Sequence, residues 1–251
     1  MIVIVADAWL SRGGFCETVV PIRYLIPSRE RPPWPAKIKV DGPLKRPPRK
    51  AQKRSVRRKR TSKLKRVTDL TAGPMGLTAV LGDITTMDVD AIVNAANSAL
   101  AGGGGVDGAI HSAAGPTVLE ECQAIIAKQG SCPTGTAVAT SAGELPATWV
   151  IHTVGPIWDQ HDPVENSTLL ANCYSSSLDV AAELGARTVA FSAISTGVYG
   201  FPRELAAPIA VSTVLHWLSQ NKQSTSVETV TLVCFDAENL RHCEQALTDI
   251  A

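Results

Sequence analysis

From Gly76 onward the chain alternates short runs of β-branched and apolar residues with longer segments whose apolar positions recur every three or four residues. The short runs predict strands over Leu77 to Leu81, Ala91 to Asn94, Thr136 to Thr140, Thr148 to Thr153, Thr188 to Ile194 and Val227 to Cys234. The longer segments predict helices over Val106 to Ala114, Thr117 to Lys128, Ser167 to Leu184, Arg203 to Ser219 and Ala237 to Leu247. That order is the signature of an α/β layer fold. In the segment from Arg203, the residues Leu205, Ile209, Val214 and Trp217 fall near one stripe, which predicts packing against a sheet. His216 is then expected to be partly exposed or internally satisfied.

Before Gly76 the pattern is absent. Residues 29–66 contain six prolines and a dense population of Lys and Arg, with almost no periodic apolar positions. Such a stretch cannot bury enough surface to offset its chain entropy, so residues 1–74 are expected to be a disordered Pro/Arg/Lys-rich extension and residues 75–251 one folded domain.

The formal net charge of +1 conceals this division. Residues 1–66 carry nineteen Lys or Arg against four Asp or Glu, and the rest of the chain carries five against nineteen. The run from Arg54 to Arg66 suits a polyanion such as nucleic acid, whereas the acidic remainder would repel one. No apolar run approaches the roughly 20 residues of a membrane span. The first ten residues are apolar but include Asp7 and lack a basic start, so they do not read as a signal peptide. The six cysteines show no CxxC spacing. Reduced thiols, no metal site, no cofactor and a cytoplasmic location are the expectations.

The residues that carry chemistry follow the predicted strands. Asp83 comes after the first, Asn94 and Asn97 close the second, Ser195 to Gly200 follow the fifth, and Phe235 follows the sixth. Ligands of open α/β sheets bind beyond the carboxyl ends of strands, so four segments converging there predict one pocket. Gly102 to Gly108 run straight into a helical pattern, and glycines let a backbone approach a ligand closely while free N–H groups at a helix start attract anions. With Ser195-Thr196-Gly197-Val198-Tyr199-Gly200 opposite, two such loops could grip a diphosphate. Neither is a Walker loop or a dinucleotide fingerprint.

Leu81-Gly82-Asp83-Ile84-Thr85, Ile92-Val93-Asn94-Ala95-Ala96-Asn97, Gly102 to Gly108 with Ala109-Ile110-His111, Ala113 to Pro116, and Ile194 to Phe201 together resemble the macrodomain family. The nearer likeness is to its branch of O-acetyl-ADP-ribose deacetylases and mono-ADP-ribosyl hydrolases, and it covers the chain from about Gly76 to the C-terminus. The resemblance implies a three-layer α/β/α fold with a mixed central sheet that binds ADP-ribose without a metal.

Residue by residue, the resemblance makes Asp83 the acceptor for the adenine amino group, with Ile84 beside it and Phe235 flanking the ring. It makes Gly104, Gly105 and Val106, with Ser195, Thr196, Gly197, Val198 and Tyr199, the cradle of the diphosphate and distal ribose. Asn94 belongs to the same ligand set. Asn97 would fix the ribose and Asp107 would hold or deprotonate the attacking water. Local readings exist for each: a turn cap at Asp83, an Asx turn at Asn97, a helix-dipole partner at Asp107, simple core at Phe235. His111, one turn after Asp107, could pair with it and receives no catalytic role.

The activity implied is ester hydrolysis, releasing acetate from O-acetyl-ADP-ribose or mono-ADP-ribose from Asp or Glu of a modified protein. Asp107 or the substrate's own phosphate would be the base. The rival is a reader module that binds ADP-ribose without turnover. The paired glutamates of poly-ADP-ribose glycohydrolases are absent.

Overall fold

The computed structural model describes residues 76–250, so the expected disordered arm over residues 1–74 and Cys16 lie outside the described residues. The chain runs β1 (Leu77–Leu81), a 3-10 turn (Ile84–Thr86), β2 (Ala91–Ala96), α1 (Gly105–Ala114), α2 (Pro116–Gln129), β3 (Ala137–Ser141) and β4 (Trp149–Val154). It continues through α3 (Pro163–Glu183), β5 (Thr188–Phe191), α4 (Arg203–Asn221), β6 (Thr229–Cys234) and α5 (Ala237–Ile250). Every predicted element is present.

The boundaries that moved have local causes. Helix α3 starts four residues earlier than its apolar pattern, because Pro163 occupies the first turn and the Asp162 side chain accepts from the Glu165 N–H. Strand β5 stops at Phe191, after which Ser192 donates to the Val93 carbonyl and the chain leaves the sheet. Strand β2 extends two residues beyond Asn94, which therefore sits inside a strand and not at its end.

The six strands are ordered β1-β6-β5-β2-β4-β3, all neighbours parallel except β3 against β4. The sheet is mixed, as the resemblance implies. Side chains alternate across it: Ala91 and Val93 of β2 and Trp149 and Ile151 of β4 meet the core formed with α3, α4 and α5. Ile92 and Ala96 of β2 and Val150 and Val154 of β4 meet α1 and α2 through Ile110, Ala114, Val118 and Cys122. Two helical layers thus enclose the sheet.

The larger layer is anchored by Phe191, fully buried with its ring centroid 5.0 Å from that of Tyr174. Truncating such a residue to Ala costs about 3–5 kcal/mol. In α4, Ile209, Val214 and Trp217 are buried, Leu205 is partly buried and His216 is exposed. The five described cysteines are buried and form no disulfide with one another, and no described helix is long and apolar enough to cross a membrane.

Candidate functional site

Because β1, β6, β5, β2 and β4 are parallel neighbours, their carboxyl ends share one edge of the sheet. Asp83, Phe235, the loop from Ser192 to Phe201, Asn97 with the glycine run, and Gly155 all emerge there.

At the β1 end Asp83 caps the 3-10 turn: its Oδ1 accepts from the Thr85 N–H at 2.9 Å and from the Thr85 hydroxyl at 2.7 Å. Its side chain is exposed and Ile84 beside it is buried. Phe235, next to the β6 end, is 86% exposed, so it is not core. A small pocket between the β5 and β6 ends is lined by Ser192, Thr196, Cys234 and Asn239.

The loop after β5 is closed on itself. Gly200 donates to the Gly197 carbonyl and Phe201 to the Ser195 carbonyl, both at 3.0 Å, and the Trp158 N–H ties Tyr199 to the β4 end at 2.8 Å. Ser195 sits at φ +63° with its hydroxyl buried and without a partner among the described residues. Val198, at the tip, is 96% exposed.

On the other side Asn97 shapes the glycine run. Its Oδ1 accepts from the Ala99 and Ala101 N–H groups at 3.2 and 3.4 Å, and its Nδ2 donates to the Gly102 carbonyl at 2.8 Å. The Asx turn is therefore real, and one N–H of the amide remains beyond it. Gly104 is the N-cap of α1 without any side-chain cap, so the N–H groups of Gly105, Val106 and Asp107 open the helix with its positive dipole end uncovered.

Asp107, in that first turn, is 5% exposed. Its Oδ1 accepts from Asn94 Nδ2 at 2.7 Å, while its Oδ2 lies on the side of Gly103, where a Cβ would come within 3.2 Å of it. His111 Nε2 is 3.3 Å from Oδ1 but off the direction of a hydrogen bond, and neither nitrogen of its ring has a hydrogen-bond partner among the described residues. Asn94 is 0% exposed, and its mid-strand placement sets its side chain beneath Asp107.

Behind Asn94 lies His152, also fully buried, with Nδ1 3.2 Å from Asn94 Nδ2 and Nε2 3.0 Å from the Thr140 hydroxyl. Burial, then the neighbouring His111, push its pKa down to about 3. Donor atoms of His111, Cys122 and His152 lie within 4.8 Å of one another, but both ring nitrogens of His152 are already engaged, by Asn94 and by Thr140. Burial pushes the Cys122 thiol up to about 12, helped by the charge of Asp107, so it packs as a neutral thiol 3.6 Å from His152 Nε2.

A Macro domain family model matches residues 93–210. An O-acetyl-ADP-ribose deacetylase of Klebsiella pneumoniae is 57% identical over 159 residues, which is 63% of this chain and 89% of that protein. The chain belongs to the macrodomain family. Among solved structures, an Oceanobacillus iheyensis macrodomain with ADP matches at TM-score 0.64 and 43% identity, over 68% of this chain and 90% of that one. A Trypanosoma brucei macrodomain in complex with ADP-ribose matches at TM-score 0.61 and 34% identity, over 70% and 78%.

Four residues of this macrodomain's site escape a linear reading. His152, Thr140 and Cys122 come from β4, β3 and α2, and meet only because the even-numbered residues of β2 and β4 face α1 and α2. The alternation in β4 carried that signal. Gly155 carried none, since its role depends on where the β5 loop passes.

Proposed function

We propose that this macrodomain hydrolyses ester-linked ADP-ribose, deacetylating O-acetyl-ADP-ribose and removing mono-ADP-ribose from Asp or Glu of modified proteins. The observation that carries the reading is Asp107, a buried carboxylate with one oxygen tied back to Asn94 and the other beside the glycine run and Asn97. A relative more than half identical, named an O-acetyl-ADP-ribose deacetylase, supports the enzyme over a reader that binds without turnover.

In this reading the diphosphate lies between the uncapped start of α1, at Gly104, Gly105 and Val106, and the loop from Ser195 to Tyr199. Backbone N–H groups and the helix dipole attract the anion from both sides. Asp83 accepts from the adenine amino group, and exposed Phe235 flanks the ring. Asn97 donates its remaining N–H to a hydroxyl of the distal ribose. A water held by Asp107 attacks the acyl carbonyl carbon and gives its proton to the carboxylate. The acyl C–O bond then breaks, and the ribose oxygen leaves with that proton, yielding the free carboxylic product and ADP-ribose. Positioning and general-base assistance supply the rate. A cytoplasmic location fits the buried free thiols of the described cysteines.

Incubation of the purified protein with O-acetyl-ADP-ribose, and separately with a protein carrying Asp/Glu-linked ADP-ribose, tests the reading by product analysis. Release of acetate and of ADP-ribose is expected. Tight binding of ADP-ribose with neither product would make the protein a reader.

A further inference from the structure

Resting on the assignment of Asp107 as the base, we infer that His152 is a positioning residue for the hydrolysis, acting through Asn94 to present one oxygen of Asp107 to the glycine run. Asn94 and His152 are register partners on the parallel strands β2 and β4, and both project toward α1 and α2. The Asn94 amide nitrogen meets both Asp107 Oδ1, at 2.7 Å, and His152 Nδ1, at 3.2 Å.

The polarity of every link follows from counting donors. An amide nitrogen carries two hydrogens, one for each of these neighbours. Turning the amide over would set its oxygen against the carboxylate at 2.7 Å, two acceptors in contact, so the orientation is fixed. His152 Nδ1 must then accept, which leaves the ring proton on Nε2. That proton is donated to the Thr140 hydroxyl at 3.0 Å, and Thr140 donates onward to the Ser141 carbonyl at 2.9 Å. The chain of bonds is anchored at backbone and ends on the carboxylate.

One further feature separates this arrangement from ordinary packing. Asn94 Oδ1 is buried with no partner among the described residues. A buried polar oxygen left unpaired is destabilising, and such defects are tolerated chiefly where function requires the geometry. Here the geometry gained is the fixed amide, which occupies Oδ1 of Asp107 and leaves Oδ2 to act. The groups facing His152 are Asn94 from β2, Thr140 from β3, Cys122 from α2 and the His111 ring from α1, its centroid 5.9 Å away. The neutral ring keeps Nδ1 as an acceptor over the ordinary working range of pH.

The test uses the full chain with O-acetyl-ADP-ribose, reading kcat, KM and ADP-ribose affinity together. Thr140→Val keeps the volume but removes the partner of Nε2–H. Nδ1–H can then form, setting a donor against the Asn94 donor. His152→Leu removes the acceptor, and His152→Asn restores one near the Nδ1 position. We expect kcat to fall by roughly 10- to 100-fold in Thr140→Val and His152→Leu, as misplacement of a catalytic group by about 1 Å can do, with ADP-ribose affinity unchanged. His152→Asn should recover most of the loss, and nitrogen-resolved imidazole spectra should show Nε2–H in the parent and its loss in Thr140→Val. Parental kcat in Thr140→Val, with Asp107→Ala inactive, overturns the inference and leaves the function standing. Parental kcat in Asp107→Ala overturns the underlying assignment instead. Should His152→Leu fail to fold, Thr140→Val decides.

Discussion

Gly155, one residue past the end of β4, leaves the space that the Ser195 side chain fills: a Cβ built on Gly155 would collide with the Ser195 hydroxyl and crowd Ile194. Two loops that the sequence separates by forty positions are therefore locked together at the edge of the crevice. Ser195 has little freedom to yield, being a non-glycine residue already held at φ +63°.

Gly155→Ala should therefore act on the loop that is proposed to hold the diphosphate. Overpacking of this kind costs about 1–3 kcal/mol in stability. The affinity for ADP-ribose should fall by at least tenfold, equivalent to about 1.4 kcal/mol. Adding Ser195→Gly, which frees the space and suits the left-handed backbone, should return the melting temperature toward the parent. Calorimetry and thermal melts of the single and double variants check this. A Gly155→Ala protein that melts and binds as the parent does would show that the two loops are not coupled.

Adenine recognition should depend on Asp83 through an oxygen other than the one that caps the turn, since both bonds from Thr85 go to Oδ1. Asp83→Ala loses cap and acceptor together. Asp83→Asn can keep the cap but turns a donor toward the adenine amino group, so it should weaken ADP-ribose binding by about 1–3 kcal/mol with little loss of stability. Unchanged affinity in both variants would place the adenine elsewhere.

The fold was legible because period and punctuation agreed. Strands of β-branched residues alternate with helical stripes, and the glycine run ends where α1 begins. What was less legible was the depth of each site residue. Asn94 reads as a strand-end residue when the strand is drawn to stop there, but two further ladder positions carry β2 to Ala96 and place Asn94 under the site. Phe235 reads equally as core or rim, and only the end of β6 turns it outward. At Asp83 and Asn97 a local role does not compete with the proposed ligand role, since the local bonds use part of each polar side chain and leave the rest. The network through His152 was hidden because it spans three strands and α1.

Catalysis should separate from binding at Asp107. Asp107→Ala removes the proposed base and leaves Asp83, the start of α1 and the loop from Ser195 in place, so ADP-ribose affinity should persist while single-turnover hydrolysis falls by roughly 10²- to 10⁴-fold. Asn97→Ala should also slow the reaction, because the glycine run loses three side-chain bonds that shape it. An equal fall in affinity and rate for Asp107→Ala would reduce that residue to a binding role.

The basic segment should be dispensable for folding and chemistry. The Klebsiella pneumoniae relative is 89% covered by a match of 159 residues, which leaves no room on it for a counterpart of residues 1–74. A protein beginning at Met75 should bind ADP-ribose and turn over O-acetyl-ADP-ribose as the full chain does. Insolubility or lost binding would move the domain boundary toward the N-terminus.

Acid should destabilise the fold through His152. In the unfolded chain this histidine titrates near 6.5, and in the folded protein burial pushes it down to about 3, with His111 adding to the shift. The sign follows from proton counts. Between those two values the unfolded chain holds a proton that the native protein does not, so lowering the pH favours unfolding. The stabilising contribution of the neutral ring is complete above about pH 6.5 and is lost as pH falls toward 3, at up to about 1.4 kcal/mol per pH unit. His152→Asn cannot titrate there and should lack this part of the slope. Denaturant unfolding of the parent and of His152→Asn at pH 7.5, 6.5, 5.5 and 4.5 measures it. The stability difference between the two should change by only about 0.4 kcal/mol from 7.5 to 6.5, then move against the parent by roughly 1 kcal/mol or more for each unit below. Parallel profiles down to pH 4.5 would mean that the native ring takes up its proton as readily as the unfolded one, and that the fold does not hold His152 neutral.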